Sequence, residues 1–117
     1  MITIKNREKL ITNGETELNQ KARKLSLDSL ESALNAVDPK RIIKSRISLQ
    51  NSVLKVNGYS FDLRRFKHVY VVGGGKASGS MAEALEQILS EHIADGFINI
   101  PRAVSYTHLT LPTKRIV

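Results

Sequence analysis

Apolar residues recur at helical spacing in the first third of the chain. Leu27, Leu30, Leu34 and Val37, with Ala33 beside them, make one stripe on a helix that starts near Thr16. The preceding fifteen residues are polar and contain an Asn13-Gly14 turn signal. Asp38-Pro39 punctuates the stripe: Asp suits an N-cap and Pro the first helical position, which predicts a short second helix from Pro39 to about Ser45. Ile42, Ile43 and Ile47 give that helix a face to bury, and the two helices are expected to pack together as a lead-in. The pattern then changes period. Val53, Leu54 and Val56 precede Asn57-Gly58, and Tyr59, Phe61 and Leu63 alternate after it, as in a β-hairpin with an Asn-Gly turn.

From His68 the apolar run becomes continuous. Val69-Tyr70-Val71-Val72 reads as a buried parallel strand, and Gly73-Gly74-Gly75 follow at once. Met81, Ala84, Leu85, Ile88 and Leu89 repeat at helical spacing, with Glu83, Glu86, Gln87 and Glu91 opposite; Met81 is expected to pack on the strand. Asp95-Gly96 reads as a turn before an apolar strand, Phe97 to Ile100, stopped by Pro101. Strand, glycine turn, helix and strand make a βαβ unit whose strands should run parallel. The expected fold class is α/β: a partial Rossmann-like domain with a helical lead-in and a hairpin.

A glycine-rich turn between a buried strand and a helix lets a ligand approach the backbone closely, and the helix N-terminus attracts anions. Lys76 stands at that terminus, against the dipole, which suggests a compensating anion; a lysine pointing into solvent is the plain alternative. Ser78 and Ser80 could cap the helix or donate to phosphate oxygens. Neither standard signature is met. In a dinucleotide fingerprint Ser78 holds the place of the third glycine, and the acidic residue expected about twenty positions on could be Asp95, which reads as part of a turn before the next strand. In a phosphate-loop pattern built on Gly74 and Gly79, Ser80 stands where lysine belongs. The glycines could also serve a tight βα turn and nothing more.

Composition narrows the classes. At 117 residues there is chain for one modest domain. The absence of Cys removes disulfides, thiolate metal sites and a cysteine nucleophile. No apolar run approaches a membrane span, and the charged start MITIKNREKL has no signal-peptide core. The formal charge is +7, and its excess lies before residue 68, in Lys21/Arg23/Lys24, Lys40/Arg41/Lys44/Arg46 and Arg64/Arg65/Lys67. Sparse aromatics and the lack of an RNA-binding signature argue for a solvated basic face rather than a nucleic-acid partner. His68 and His92 have no second ligand at metal-binding spacing, so no metal site is assigned.

Taken together, Asn35-Ala36-Val37-Asp38-Pro39, then Val71-Val72-Gly73-Gly74-Gly75-Lys76-Ala77-Ser78 with Met81-Ala82, and later Asp95-Gly96, resemble the start of the class II glycerate kinases. This is the glycerate 2-kinase family, which carries hydroxypyruvate reductase as an older label. The resemblance covers about residues 5–102. It implies a cytoplasmic enzyme that moves a phosphoryl group from ATP to D-glycerate, usually giving 2-phosphoglycerate, with a divalent cation such as Mg²⁺. It implies a Rossmann-like N-terminal domain and a second α/β domain, with the active site between them. By resemblance Lys76 is the catalytic lysine, acting on the transferring phosphoryl group or the substrate carboxylate. Gly73, Gly74, Gly75 and, more weakly, Ser78 would line the nucleotide or phosphate.

Members of that family run to several hundred residues, and their His-Pro-x-Pro stretch and Ser-Gly-Gly loop have no counterpart here. Residues 1–102 are therefore expected to be the N-terminal part of such a domain, inactive alone. Residues 103–117 resemble a translated adapter and are expected to be foreign; a terminal strand through Thr107, Leu109 and Leu111 is the alternative. A small α/β module that binds a nucleotide or phosphometabolite without catalysis is the second reading, and a basic nucleic-acid-binding protein the third.

Overall fold

A computed structural model describes residues 2–101 and the backbone of 113–116. It divides into two compact units, residues 1–38 and 39–117.

The first unit is a helical pair. Helix α1 spans Arg7–Thr12 and α2 spans Glu17–Ala36. The Thr16 side chain accepts from the Asn19 amide at 3.0 Å, which satisfies one of the unpaired N–H groups that open α2. The polar start of the chain, which carries no periodic signal, is thus ordered. The Arg7 guanidinium pairs with Asp28 and with Glu31, and the Ile4 amide donates to Glu31. Asn35 exchanges hydrogen bonds with the Ile2 backbone, and Arg23 donates to the Leu10 carbonyl. These contacts run down the 23–28–31–35 line of α2. Leu27 lies on that line and is buried, whereas Leu30, Leu34, Val37 and Ala33 are exposed, Leu30 by 55%. The helix follows its periodicity, but the seam within this unit is polar.

Such a seam responds to acid. Hydrogen bonds from Lys24 and from Arg7 hold the Asp28 carboxyl below its ordinary value of 3.8. A carboxyl lowered on folding stabilises the fold above its unfolded pKa, and that contribution disappears as pH falls through the folded pKa. The helical signal of residues 1–38 is therefore expected to decline below about pH 4, and Asp28→Asn should remove that acid-dependent step. A circular-dichroism titration in which both proteins behave alike would contradict it.

The second unit begins at Pro39, as the Asp38-Pro39 signal predicts, with α3 over Pro39–Arg46. An antiparallel meander follows: β1 (Ile47–Gln50), β2 (Val53–Val56) and β3 (Tyr59–Asp62). Val56 pairs with Tyr59 across Asn57-Gly58, and both turn residues have positive φ, 48° and 88°, as the expected hairpin requires. β1 is an addition. Asn51 and Ser52 also take positive φ and make a second two-residue turn without glycine, so Ile47 belongs to a strand rather than to the helix before it.

β4 (Val69–Gly74), α4 (Ser78–Leu89) and β5 (Ile93–Ile100) form the βαβ unit, with β4 and β5 parallel. Asp95-Gly96 is not a turn. Both residues lie inside β5, where the Asp95 carboxylate accepts from the Gly96 amide at 2.7 Å and the ladder skips Ala94. A bulge absorbs the residues that look like punctuation. β6 (Thr113–Ile116) pairs parallel to β5. The expected foreign segment and its alternative strand through Thr107–Leu111 otherwise fall outside the described residues.

Val71, Ala82, Ile98 and Ile100 form the core between sheet and helix. α4 packs on β4 and β5 with one face and on α3 and β1 with another. Burial departs from the simple stripe at two positions, and the second buried face explains the first. Glu83 is buried and pairs with Lys40 of α3 at 2.9 Å, a position the spacing assigns to solvent. Met81, expected in the core, is 39% exposed at the helix start.

Candidate functional site

The carboxyl ends of parallel strands are where open α/β sheets receive ligands, because loops and helix N-termini converge there. β4 ends at Gly74, Gly75-Lys76-Ala77 turns, and α4 starts at Ser78. Gly75 has φ +106°, a conformation that side-chain-bearing residues rarely take, so glycine is required for the turn itself. Gly73 and Gly74 have no such need. A Cβ at Gly73 would meet Ser78 Cβ at 3.5 Å and Ile98 Cγ2 at 3.7 Å, and one at Gly74 would meet only Asn99 Cβ at 4.0 Å. Those are ordinary contacts, so the bare backbone at Gly74 leaves space that no neighbour among the described residues uses.

Lys76 is exposed at the tip of the turn and makes no ion pair or side-chain hydrogen bond among the described residues. The residue directly precedes the cap of α4, Ala77, which supplies no side-chain acceptor. The arrangement collects positive potential from a lysine and a helix dipole and leaves it unneutralised. Ser78 is placed differently from a ligand contact. It is buried, and its hydroxyl lies 2.7 Å from the Gly75 carbonyl and 2.8 Å from the Asn99 carbonyl, so its single hydrogen is shared between them. It ties the turn to the end of β5. Ser80 has a partner of its own.

Beneath the turn lies an apolar cavity of about 210 Å³, lined among others by Val71, Gly73, Ala77, Met81, Leu85 and Ile98. This explains the exposure of Met81: it borders the cavity. On the other face of the sheet Tyr70, Val72 and Phe97 are exposed around a shallow depression with Asp95 and Gly96. Asp95 pairs in register with Tyr70, four positions before Gly74, roughly 13 Å from the turn at strand rise. It is too remote to serve a ribose held there, as a dinucleotide fingerprint would require. Lys76 and the three glycines are thus together, Ser78 braces them, and Asp95 is apart. Asn99, paired with Gly74, joins the group. Sequence reasoning passes over it, although a polar residue interrupting Phe97-Ile98-Asn99-Ile100 is a signal of sorts. His68 is exposed with its ring 5.8 Å from that of Tyr70, and the His92 Nδ1 faces the Leu89 carbonyl at 3.0 Å.

No helix of the described residues is long and apolar enough to cross a membrane. Comparison with known proteins agrees with the fold. The crystal structure of the PH0495 protein from Pyrococcus horikoshii OT3 superposes with a TM-score of 0.60 at 27% identity, covering 82% of this chain and 20% of that one. Curated relatives include proteins named glycerate kinase from Mus musculus and Homo sapiens, each 37% identical over 89 residues, and from Danio rerio, 29% identical over 92. The matches cover 74% of this chain for the mammalian pair and 79% for the fish protein. The chain spans only 16 to 17% of the length of those relatives. The domain family described as a domain of unknown function, DUF4147, matches residues 25–116. With most of its length inside that match and with glycerate kinases as relatives, this chain belongs to the DUF4147 family.

Proposed function

We propose that this chain supplies the anion-holding wall of a glycerate kinase active site, in which ATP donates a phosphoryl group to D-glycerate and 2-phosphoglycerate is formed. One observation carries the reading: Lys76, exposed and without an ion pair among the described residues, follows three glycines at the carboxyl end of β4 and stands at the start of α4, in a chain related to proteins named glycerate kinase. Phosphoryl transfer depends on positioning and on neutralising charge spread over the phosphate oxygens. Lys76 is suited to that task, or to clasping the glycerate carboxylate. Gly73 and Gly74 let the ligand lie against the backbone. Ser78 holds the turn in shape through its shared hydroxyl hydrogen.

Magnesium fits these residues poorly as a resident ion. The described residues contain no group of three His, Asp or Glu side chains able to hold a metal. A Mg²⁺ ion arriving with ATP would take phosphate oxygens and water as ligands here, and no step is assigned to it. The reading implies a Rossmann-like domain working in the cytoplasm.

The chain by itself is expected to bind the anion without turnover. Amide shifts of the isotopically labelled chain, followed during titration with inorganic phosphate, ATP or D-glycerate, should move at Gly73 to Gly79 and little elsewhere. Coupled detection of ADP should show no phosphorylation of glycerate by the chain alone. Shifts that avoid the turn, or no shifts with any of the three, would sink the proposal.

A further inference from the structure

Asn99 stands opposite Gly74 in the β4–β5 ladder. Alternation along β5 places Ile98 and Ile100 in the core, so the Asn99 side chain lies on the other face of the sheet, with Phe97. Its Oδ1 is shielded from solvent and has no hydrogen-bond partner among the described residues. Buried amide oxygens are rarely left so in native proteins, and each one asks for an explanation. Gly74, its neighbour, has ordinary φ and would meet nothing closer than the Asn99 Cβ at 4.0 Å if it carried a side chain. The missing side chain therefore opens a space beside the Asn99 Cβ, within reach of its amide by side-chain rotation. The Ser78 hydroxyl, which touches both the Gly75 and Asn99 carbonyls, ties this end of β5 to the lysine turn.

We propose that Asn99 is a further ligand-binding residue, whose Oδ1 accepts a hydrogen bond from a hydroxyl group of the molecule whose anionic group sits on the Gly73–Lys76 turn. This rests on the reading of that turn as an anion site. A lone acceptor cannot be satisfied by phosphate or carboxylate oxygens; it needs a donor, and a hydroxyl close to the anionic group supplies one. Asn99 as a whole is only half-buried, and the broad terminal torsion of asparagine lets its oxygen swing toward the Gly74 space. Two sources carry this chemistry: a small hydroxy acid, and the ribose of a nucleotide.

The test uses the 117-residue chain and matched probes. D-glycerate is compared with propionate, ATP with 2′,3′-dideoxy-ATP, and inorganic phosphate serves as an anion without a carbon-borne hydroxyl. In the unmodified chain one hydroxylated probe should bind about 5- to 10-fold more tightly than its partner, the worth of one neutral hydrogen bond. That pair identifies the source. Asn99→Ala should bring the ratio to about one, and Asn99→Asp, which keeps an acceptor in place, should preserve it. Each ratio is taken on one protein, so a loss of stability in a variant cancels. Equal binding within both pairs, or a ratio that survives Asn99→Ala, overturns the proposal. Phosphate that binds equally well to a Lys76→Ala chain overturns the anion reading instead, and binding by none of the probes overturns both.

Discussion

Replacing Lys76 with alanine is expected to weaken the binding of inorganic phosphate and of ATP by about 10- to 100-fold, the range set by losing one charge-assisted hydrogen bond. Lys76→Arg, which keeps the cation, should recover most of that loss. The melting temperature should stay level or rise slightly in the alanine variant, because a lysine at a helix N-terminus opposes the dipole and this one is exposed. Stability and affinity then move independently, which separates a ligand contact from a structural residue. Calorimetric titration at low and at moderate salt checks the point: the difference between the two proteins should shrink as salt screens the ammonium. Equal affinities for the alanine variant and the original chain would remove Lys76 from the site.

Ile98→Ala is expected to destabilise the second unit by about 2 to 5 kcal/mol, the cost of emptying a core position that cannot fully collapse. Ile98 is 1% exposed, packs in the cluster with Val71, Ala82 and Ile100, and forms part of the floor under the glycine turn. Against a typical domain stability of about 5 to 15 kcal/mol, that loss is a large fraction. Val72→Ala on the adjacent strand is the control: Val72 is 78% exposed, and its loss should stay within about 0.5 kcal/mol. Urea unfolding followed by the signal of residues 39–100 decides it. Similar midpoints for the two variants would mean that the β4–β5–α4 core is not what holds this unit together. Because the Ile98 side chain supports the turn from below, its loss should also lower phosphate affinity, and the Val72 change should not.

Local rules were enough where a residue acts through its own backbone. Asn57-Gly58 adopts the positive φ values of its hairpin, Pro39 opens α3, and Gly75 takes the conformation that only glycine enters readily. The continuous run Val69–Val72 and the helical spacing after Met81 became β4 and α4. Local rules failed where a polar pair resembles a turn and a neighbouring strand holds it straight. Asp95-Gly96 is the clear case, since pairing with Tyr70 and Val71 keeps both residues in the ladder. The second two-residue turn, Asn51-Ser52, was illegible because its residues carry no glycine and reach positive φ under the constraint of the β1–β2 pairing.

The amino-acid order determined that a glycine turn with a lysine would join a parallel strand to a helix, and the family follows from the same stretch. Tertiary packing decided which faces were buried. Leu30, Leu34 and Val37 stayed exposed because the partner of α2 within its unit is a polar segment anchored by Arg7. Glu83 went inside because α4 has neighbours on two sides and Lys40 reaches its carboxylate. Packing also turned Ser78 from a presumed donor into a brace and set Asn99 beside Gly74. Residues twenty-five apart in sequence meet there only because the crossover returns the chain parallel to its own first strand, and no spacing rule along one dimension records that distance.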